Sequence, residues 1–191
     1  MVEFFDRLGE VLTVWSSTRA AGLTAYVLFF ISVAIGMYQS FPNVSSENKL
    51  ILRSVHQWAG WLGLWFGSFH GIVLLFDQEV HFSLKEIFVP FASNTDTILV
   101  SLGIISFYII LIIMVSSDLI KIVGKRLWKS IHFLSIPGFF FALLHGVLMG
   151  TDSQSSWILG IYLITGAIVG GLFIIRTSKS MGKTSENPMS L

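Results

Sequence analysis

Long apolar runs separated by short polar segments dominate the sequence. A helix needs roughly 20 predominantly apolar residues to cross the hydrocarbon core of a bilayer, and these runs are of that length. The segments between them carry charge, proline and asparagine, and none is long enough to form a further domain. The pattern predicts five membrane-spanning helices: Ala20–Tyr38, Ile51–Phe76, Thr97–Leu119, Trp128–Gly150 and Trp157–Ile175.

Composition supports a protein that lies in a membrane. Charged residues make up 12% of the chain and apolar residues 53%, about half the charged share of an ordinary soluble domain, and the mean hydropathy is +0.76. A chain of 191 residues has room for five or at most six spans and little else. We therefore predict an all-α membrane protein, a bundle of five or at most six transmembrane helices, multi-pass in the cell membrane.

The absence of cysteine from the sequence removes several kinds of chemistry. Disulfides, thiol catalysis, iron–sulfur clusters and the C-x-x-C-H attachment of haem all require it. The first eighteen residues lack the basic and apolar regions of a signal peptide, so we expect the first span to stay in the mature protein. Residues 2–17 are predicted to form either a short amphipathic helix on the membrane surface or an irregular tail.

Lysine and arginine distribution predicts the orientation. With the N-terminus outside and the C-terminus inside (N-out/C-in), nine basic residues lie inside and three outside. The inside also carries three acidic residues and the outside carries eight, so the net charge is +6 inside and −5 outside. The inner face then suits an acidic or phosphate-bearing partner and the outer face a cation.

Four histidines lie inside the predicted spans in two evenly spaced sets, His56 with His70 and His132 with His145. Ionisable residues at membrane depth are costly enough to suggest a function. The second and fourth helices run in the same direction, so His56 and His132 (the inner pair) lie near one face and His70 and His145 (the outer pair) near the other. Spacings of 14 and 13 residues separate the two levels by roughly 20 Å, which is room for two stacked haems.

The two spacings place the histidines at different angles around their helices. Fourteen residues end about 40° short of four full turns, so His56 and His70 share a face, whereas thirteen residues leave His145 about 140° from His132. Pro137 lies between the latter two, and a proline kink changes the phase of a helix. A kink there is therefore a condition of the predicted pairing.

Gly60, Gly63 and Gly67 fall on the same face of the second helix as His56 and His70. A macrocycle could lie against this bare backbone, while Trp58, Trp61 and Trp65 lie on the opposite face. Close packing of another helix against the glycines is the alternative interpretation.

Several motifs resemble the ferric-reductase-like transmembrane domain shared by ferric reductases, NADPH oxidases and the haem-binding membrane subunit of the bacterial methionine sulfoxide reductase system. The similar segments span nearly the whole chain: S-T-R-A-A-G-L-T-A-Y at 17–26, H-Q-W-A-G-W-L-G at 56–63, V-P-F-A-S at 89–93, R-L-W-K-S-I-H at 126–132 and H-G-V-L-M-G-T-D-S at 145–153. We therefore divide the chain into an N-terminal outer-face segment (1–18), a ferric-reductase-like transmembrane haem domain (19–177) and a cytoplasmic tail (178–191).

The resemblance implies two b-type haems, bound non-covalently. His56 and His132 would be the axial ligands of the inner haem iron, and His70 and His145 those of the outer one. Electrons would pass from a cytoplasmic flavin to an acceptor at the outer face: a ferric ion, oxygen or a partner reductase. Only fifteen residues follow Arg176 and they hold no G-x-G-x-x-G motif, so we expect a separate flavin or NAD(P)H reductase, with a flavin supplied by or shared with that partner, docking on the basic inner loop.

Other residues have candidate roles near the haems. Basic side chains pair well with propionates at a membrane boundary; the candidates for the inner haem are Arg53, Arg126 and Lys129, each of which could instead be an interfacial anchor. Arg19 is the corresponding candidate at the outer haem. His81 is either a metal ligand or, more in keeping with an acidic loop, simply solvated, and Asp152 could orient the last ligand.

Three functions compete on the sequence. The first is the haem-binding membrane component of an oxidoreductase system. The second is a quinol-linked cytochrome b subunit, and the third is a histidine-based membrane metal-ion carrier, which is disfavoured because the span interiors lack acidic residues. No nucleic-acid partner is expected.

Overall fold

The computed structural model describes residues 13–77 and 80–185, with side chains to residue 178, and every regular element in these ranges is helical. The α-helices, numbered along the chain, are α1 (Val14–Tyr38), α2 (Ser46–Val73), α3 (Leu84–Phe88), α4 (Thr97–Asp118), α5 (Ile120–Val123), α6 (Lys125–Phe133), α7 (Ser135–Met149) and α8 (Ser156–Ser185). Short 3₁₀ turns, Leu74–Phe76 and Thr151–Gln154, follow α2 and α7.

Five helices of the described chain are long and apolar enough to cross a membrane: Val14–Tyr38, Ser46–Phe76, Thr97–Asp118, Lys125–Met149 and Ser156–Ser178. The predicted fold class, an all-α membrane bundle of five spans, is confirmed. The orientation and the domain boundaries stay predictions.

The first span begins earlier than the sequence suggests, at Val14 rather than Ala20. Thr13 caps it, because its hydroxyl accepts a hydrogen bond from the Ser16 backbone N–H at 3.1 Å. A polar first turn is therefore part of the helix, although hydropathy alone assigns it to a surface segment. Of the predicted amphipathic segment 2–17, residues 2–12 lie outside the described residues.

The predicted kink in the fourth span is confirmed. The span breaks at Leu134, where α6 ends and α7 begins. Pro137 has no backbone N–H to donate to the carbonyl of Phe133, four residues earlier, and its ring clashes with the helix at that position. This break changes the helical phase between His132 and His145, as their pairing requires.

A short helix, α3, lies in the loop between the second and third spans and is fixed by a capping box. Ser83 Oγ accepts from the Glu86 backbone N–H, and the Glu86 carboxylate accepts from the Ser83 backbone N–H at 2.9 Å. Hydrogen bonds from Ser83, and further ones from Asn94, hold the pKa of Glu86 below its usual value. Tyr108 on α4 donates to the Phe88 carbonyl at 2.7 Å and ties this loop to the bundle.

Aromatic side chains of α1, α7 and α8 form the centre of the bundle. Phe139 is fully buried, and the Tyr26 ring lies between Phe139 and Tyr162, at centroid distances of 5.7 and 4.7 Å. The exterior is apolar: Trp58 and Trp65 are 69% and 71% exposed, as expected for residues that face lipid. The exposure of these two residues agrees with the prediction that the tryptophans of α2 lie away from the histidines, whereas Trp61 is half-buried.

A buried hydrogen bond joins α1 to α8. Tyr26 Oη and Thr165 Oγ1 are 2.5 Å apart, and the Thr165 hydroxyl is 2.7 Å from the Ile161 carbonyl, so Tyr26 is the donor. We expect Thr165→Val to lower the free energy of unfolding by about 0.5–2 kcal/mol, the range of interhelical hydrogen bonds in membranes. Thermal unfolding in detergent measures this loss. Thr165→Ser keeps the hydroxyl and is the control; equal melting temperatures for the two variants would contradict the assignment.

Candidate functional site

The four membrane histidines meet in the two predicted pairs. The rings of His56 on α2 and His132 on α6 have centroids 5.9 Å apart at an interplanar angle of 66°. The rings of His70 on α2 and His145 on α7 have centroids 6.3 Å apart at 82°. The two pairs lie fourteen and thirteen residues apart along their helices, so they occupy opposite ends of the bundle.

These separations suit a metal held between two imidazoles. Metal–imidazole bonds of about 2 Å on either side of an ion, with each ring centroid about 1 Å behind its nitrogen, place the two centroids roughly 6 Å apart. Two imidazoles at this separation could hold a haem iron between them. Both pairs are therefore spaced as axial ligands would be.

Hydrogen bonds fix the protonation of three of the four rings. The Nδ1 atoms of His56, His70 and His145 lie 2.8, 2.9 and 2.8 Å from the backbone carbonyls of Ser32, Thr18 and Leu99, respectively. A carbonyl oxygen only accepts, so each Nδ1 must carry the proton. The proton-free lone pair is then on Nε2, as a metal ligand requires, and a second-shell bond of this kind orients the ring and raises its basicity.

His132 is held differently. Its Nδ1 is buried and has no hydrogen-bond partner among the described residues. The ring instead packs on the Trp128 indole, with centroids 4.9 Å apart at 33°, and the indole N–H donates to Ser117 Oγ at 3.0 Å. The inner pair thus combines one hydrogen-bonded ring with one that is held by packing.

A cavity of about 360 Å³ lies at the outer pair, within the size range of small-molecule and cofactor pockets. His70, His145, Gly63 and Gly67 contribute to its lining. Thr18 also contributes to the lining, and its buried hydroxyl has no hydrogen-bond partner within the described chain. Apolar walls and two facing imidazoles fit a haem at this position.

The glycine stripe of α2 packs against neighbouring helices and also lines part of the cavity. A Cβ on Gly60 would lie 3.1 Å from Met114 Sδ, and one on Gly63 would lie 3.5 Å from the Ala25 carbonyl, so these glycines allow close packing on neighbouring helices. Gly63 and Gly67 also line the cavity. The bare backbone therefore faces the cavity only toward the His70 end.

Sequence reasoning missed three other glycines, which lie on the neighbouring helices. A Cβ on Gly22 would lie 2.9 Å from His70 Nδ1, one on Gly36 3.0 Å from His56 Cε1, and one on Gly103 2.9 Å from His145 Nδ1. Ordinary carbon contacts are about 3.5–4.0 Å, so each glycine makes room for one imidazole. A signal was present: Gly22 and Gly36 have the same spacing of 14 residues as His56 and His70.

The predicted basic partners of the inner haem, Arg53, Arg126 and Lys129, have exposed side chains. Their contacts with propionates stay a prediction. At the other end, Arg19 forms an ion pair with Asp152, and both residues line the outer cavity. Asp152 is therefore a partner of Arg19.

The histidines converge only as pairs. No group of three or more His, Cys, Asp or Glu side chains converges among the residues that the structure describes. A carrier that binds bare metal ions usually encloses them with more ligands than two. Paired imidazoles instead match the two axial positions of a haem iron, since the macrocycle supplies the other four ligands.

Comparison with known proteins identifies the family. The model of the family described as ferric reductase like transmembrane component matches residues 21–143, a range that contains His56, His70 and His132 and stops two residues before His145. Neither a curated protein nor a solved structure matches the chain. With its five spans and the family match over more than half of its length, the chain belongs to the ferric-reductase-like transmembrane family, whose members generally bind haem, and has a role in membrane electron transfer.

Proposed function

We propose that this protein relays electrons across the membrane through two non-covalent b-type haems. His56 and His132 hold the inner haem, and His70 and His145 hold the outer one. Electrons enter from a separate flavin-containing NAD(P)H reductase on the cytoplasmic side and leave to an acceptor at the outer face. The protein is thus the haem-binding membrane component of an oxidoreductase system.

One observation carries this proposal: two facing imidazole pairs lie at opposite ends of a membrane bundle, at centroid distances of 5.9 and 6.3 Å. Structural histidines have no reason to occur as two such pairs. Three of the rings also have Nδ1 bound to a carbonyl, which leaves Nε2 as the coordinating atom.

A bound haem would supply one-electron chemistry, because its iron alternates between the ferric and ferrous states. With two imidazoles on each iron, a bound haem would leave no coordination position open to a substrate, and the acceptor would be reduced without binding to the iron. The residues of this chain set the ligand geometry, exclude water from the bundle and provide the charge around each haem.

The proposed direction of electron flow is supported by the charge distribution. Lys121, Lys125 and Arg126 lie at the end of the bundle that holds the inner pair and are all exposed. Flavin phosphates and an acidic reductase surface would be attracted to this end. Arg19, Asp152 and Glu86 contribute to the lining of the outer cavity, and we place the approach of an acceptor to the outer haem beside these charged residues.

A haem count tests the proposal. We expect the protein, purified with haem supplied during expression, to contain two haems per chain and to show the reduced-minus-oxidised spectrum of low-spin b-type haem. A ratio of one would mean that one imidazole pair has another role. A folded protein without haem would overturn the proposal, and metal-dependent ion flux by that protein would favour the carrier.

A further inference from the structure

We propose that each axial histidine has its own positioning residue on a neighbouring helix: Gly22 for His70, Gly36 for His56, Gly103 for His145 and Trp128 for His132. This inference rests on the proposed function and adds how the ligands are held. It assigns the first three ligands to one repeated backbone device and the fourth to a different one.

The repeated device is one turn of helix that ends in glycine. In each case the imidazole Nδ1–H donates to the carbonyl of a residue four positions before the glycine: Thr18 before Gly22, Ser32 before Gly36 and Leu99 before Gly103. Residues at i and i+4 lie above one another on a helix. A side chain at i+4 would therefore cover the carbonyl at i, and only glycine leaves space for the ring.

The distances support a steric requirement for glycine at all three turns. An added Cβ would approach the imidazole to 2.9 Å at Gly22 and Gly103 and to 3.0 Å at Gly36. The ring cannot withdraw and keep its hydrogen bond, because the carbonyl lies 2.8–2.9 Å from Nδ1 in each case. A methyl group at any of these positions must therefore displace the ligand or separate the helices.

The turn of α4 that corresponds to His132 carries a serine in place of the glycine. On α4, Ile113 and Ser117 lie fourteen residues after Leu99 and Gly103, so they are the equivalent turn at the inner end. Ser117 replaces the glycine, and its hydroxyl donates to the Ile113 carbonyl at 2.6 Å. Trp128, one turn before His132, donates to Ser117 Oγ, and its indole face supports the His132 ring.

The two haems are therefore inequivalent. Within the part of the chain that the structure describes, both ligands of the outer haem donate a hydrogen bond from Nδ1, whereas only one ligand of the inner haem does. Such bonds raise ligand basicity and restrict ring rotation, and they are among the means by which a protein sets haem potential.

Alanine substitutions at the glycines test the device one haem at a time. We expect Gly22→Ala and Gly103→Ala each to lower the ratio from two haems per chain toward one, or to shift the midpoint potential and the ferric low-spin EPR signal of the outer haem alone. Gly36→Ala should affect the inner haem alone. Haem quantification, potentiometric titration and EPR of the purified full chain give these readouts.

Two kinds of control separate positioning from folding. Gly160→Ala and Gly171→Ala place a methyl group where no atom lies within 4 Å, and both variants should keep two haems with unchanged potentials. Gly138→Ala brings a methyl group to 2.8 Å from Ile109, a clash of similar size that involves no histidine. It should lower thermal stability while both haem signals keep their wild-type potentials.

A rescue experiment tests Trp128. We expect Trp128→Ala to shift the midpoint potential and EPR signal of the inner haem, and Trp128→Phe, which keeps an aromatic face beside His132, to restore most of the wild-type signal. Trp157→Ala, at a tryptophan that is 87% exposed, is the control.

The outcomes distinguish the inference from the proposed function. If wild-type protein holds two haems and the Gly22, Gly36 and Gly103 variants behave like Gly160→Ala, the inference is wrong and the relay stands. If the glycine variants lose no more haem than Gly138→Ala does and also keep wild-type potentials and EPR signals, the inference is also overturned. A wild-type protein that binds no haem overturns both.

Discussion

His70→Ala is expected to remove the outer haem and leave the inner haem in place, so that the haem-to-protein ratio falls from two to one. His70 and His145 lie 6.3 Å apart between ring centroids, and the other histidine on this side, His81, lies in the loop outside the candidate spans. The remaining imidazole alone would hold haem weakly, because non-covalent b-type haem depends on its axial bonds and on the shape of its pocket.

The measurement combines haem quantification with the reduced-minus-oxidised spectrum of the variant. The inner haem should remain reducible by dithionite, because His56 and its hydrogen bond to Ser32 lie fourteen residues away. His81→Ala is the matched control, since His81 is an exposed loop residue outside the candidate spans, and it should keep two haems. Unchanged haem content in His70→Ala would contradict the pairing.

The reciprocal variant gives an independent check of electron flow. His56→Ala should remove the inner haem and keep the outer one. In the proposed relay the outer haem then receives no electrons from a cytoplasmic reductase, although dithionite still reduces it. Normal reduction of the outer haem by the reductase in this variant would place electron entry elsewhere.

The helices and the histidine pairs could be predicted from the sequence because both depend on short-range periodicity. A span is a run of apolar residues of sufficient length, and His56 and His70 share a face by helical geometry alone. The kink between His132 and His145 was also predictable, since Pro137 cannot donate to the helix. Helix ends were less accurate: the polar turn at Ser16–Arg19 belongs to α1, but hydropathy does not count such residues as membrane helix.

What holds the four histidine rings could not be predicted, because it depends on contacts between helices. The acceptors for His70 and His145 are backbone carbonyls of Thr18 and Leu99, 52 and 46 residues away along the chain, and a backbone acceptor leaves no residue type to recognise. Gly22, Gly36 and Gly103 acquire meaning only once the neighbouring helix is known to carry a histidine at the same level. The different support of His132 also depends on contacts between helices, because Trp128 donates to Ser117 on α4 and packs on the His132 ring.

Reversing the charge of the basic loop is expected to slow electron entry about 10- to 1,000-fold at low salt, the range over which electrostatic steering changes association rates. The change is Lys121→Glu, Lys125→Glu and Arg126→Glu together, which takes the local charge from +3 to −3. The three side chains are exposed, with Lys121 on α5 and Lys125 and Arg126 on α6. Gly124, with φ of +81°, forms the turn that joins these helices. Stopped-flow reduction by a flavin reductase measures the rate.

Ionic strength and haem content separate docking from damage to the site. Added salt screens both the attraction in the wild type and the repulsion in the reversed variant. The wild-type rate should therefore fall and the rate of the variant should rise with salt, so that the two converge. Arg126 is also a candidate partner of the inner haem's propionates. The variant must therefore retain two haems with the potentials of the wild type for the slower rate to be assigned to docking.

Lys85→Glu, in the loop at the opposite end of the bundle, is the control and should leave the rate of electron entry unchanged. Equal rates for the wild type and the reversed variant at low salt would place the docking surface away from this loop, whereas equal slowing with dithionite would mean that the substitutions act on the haem itself.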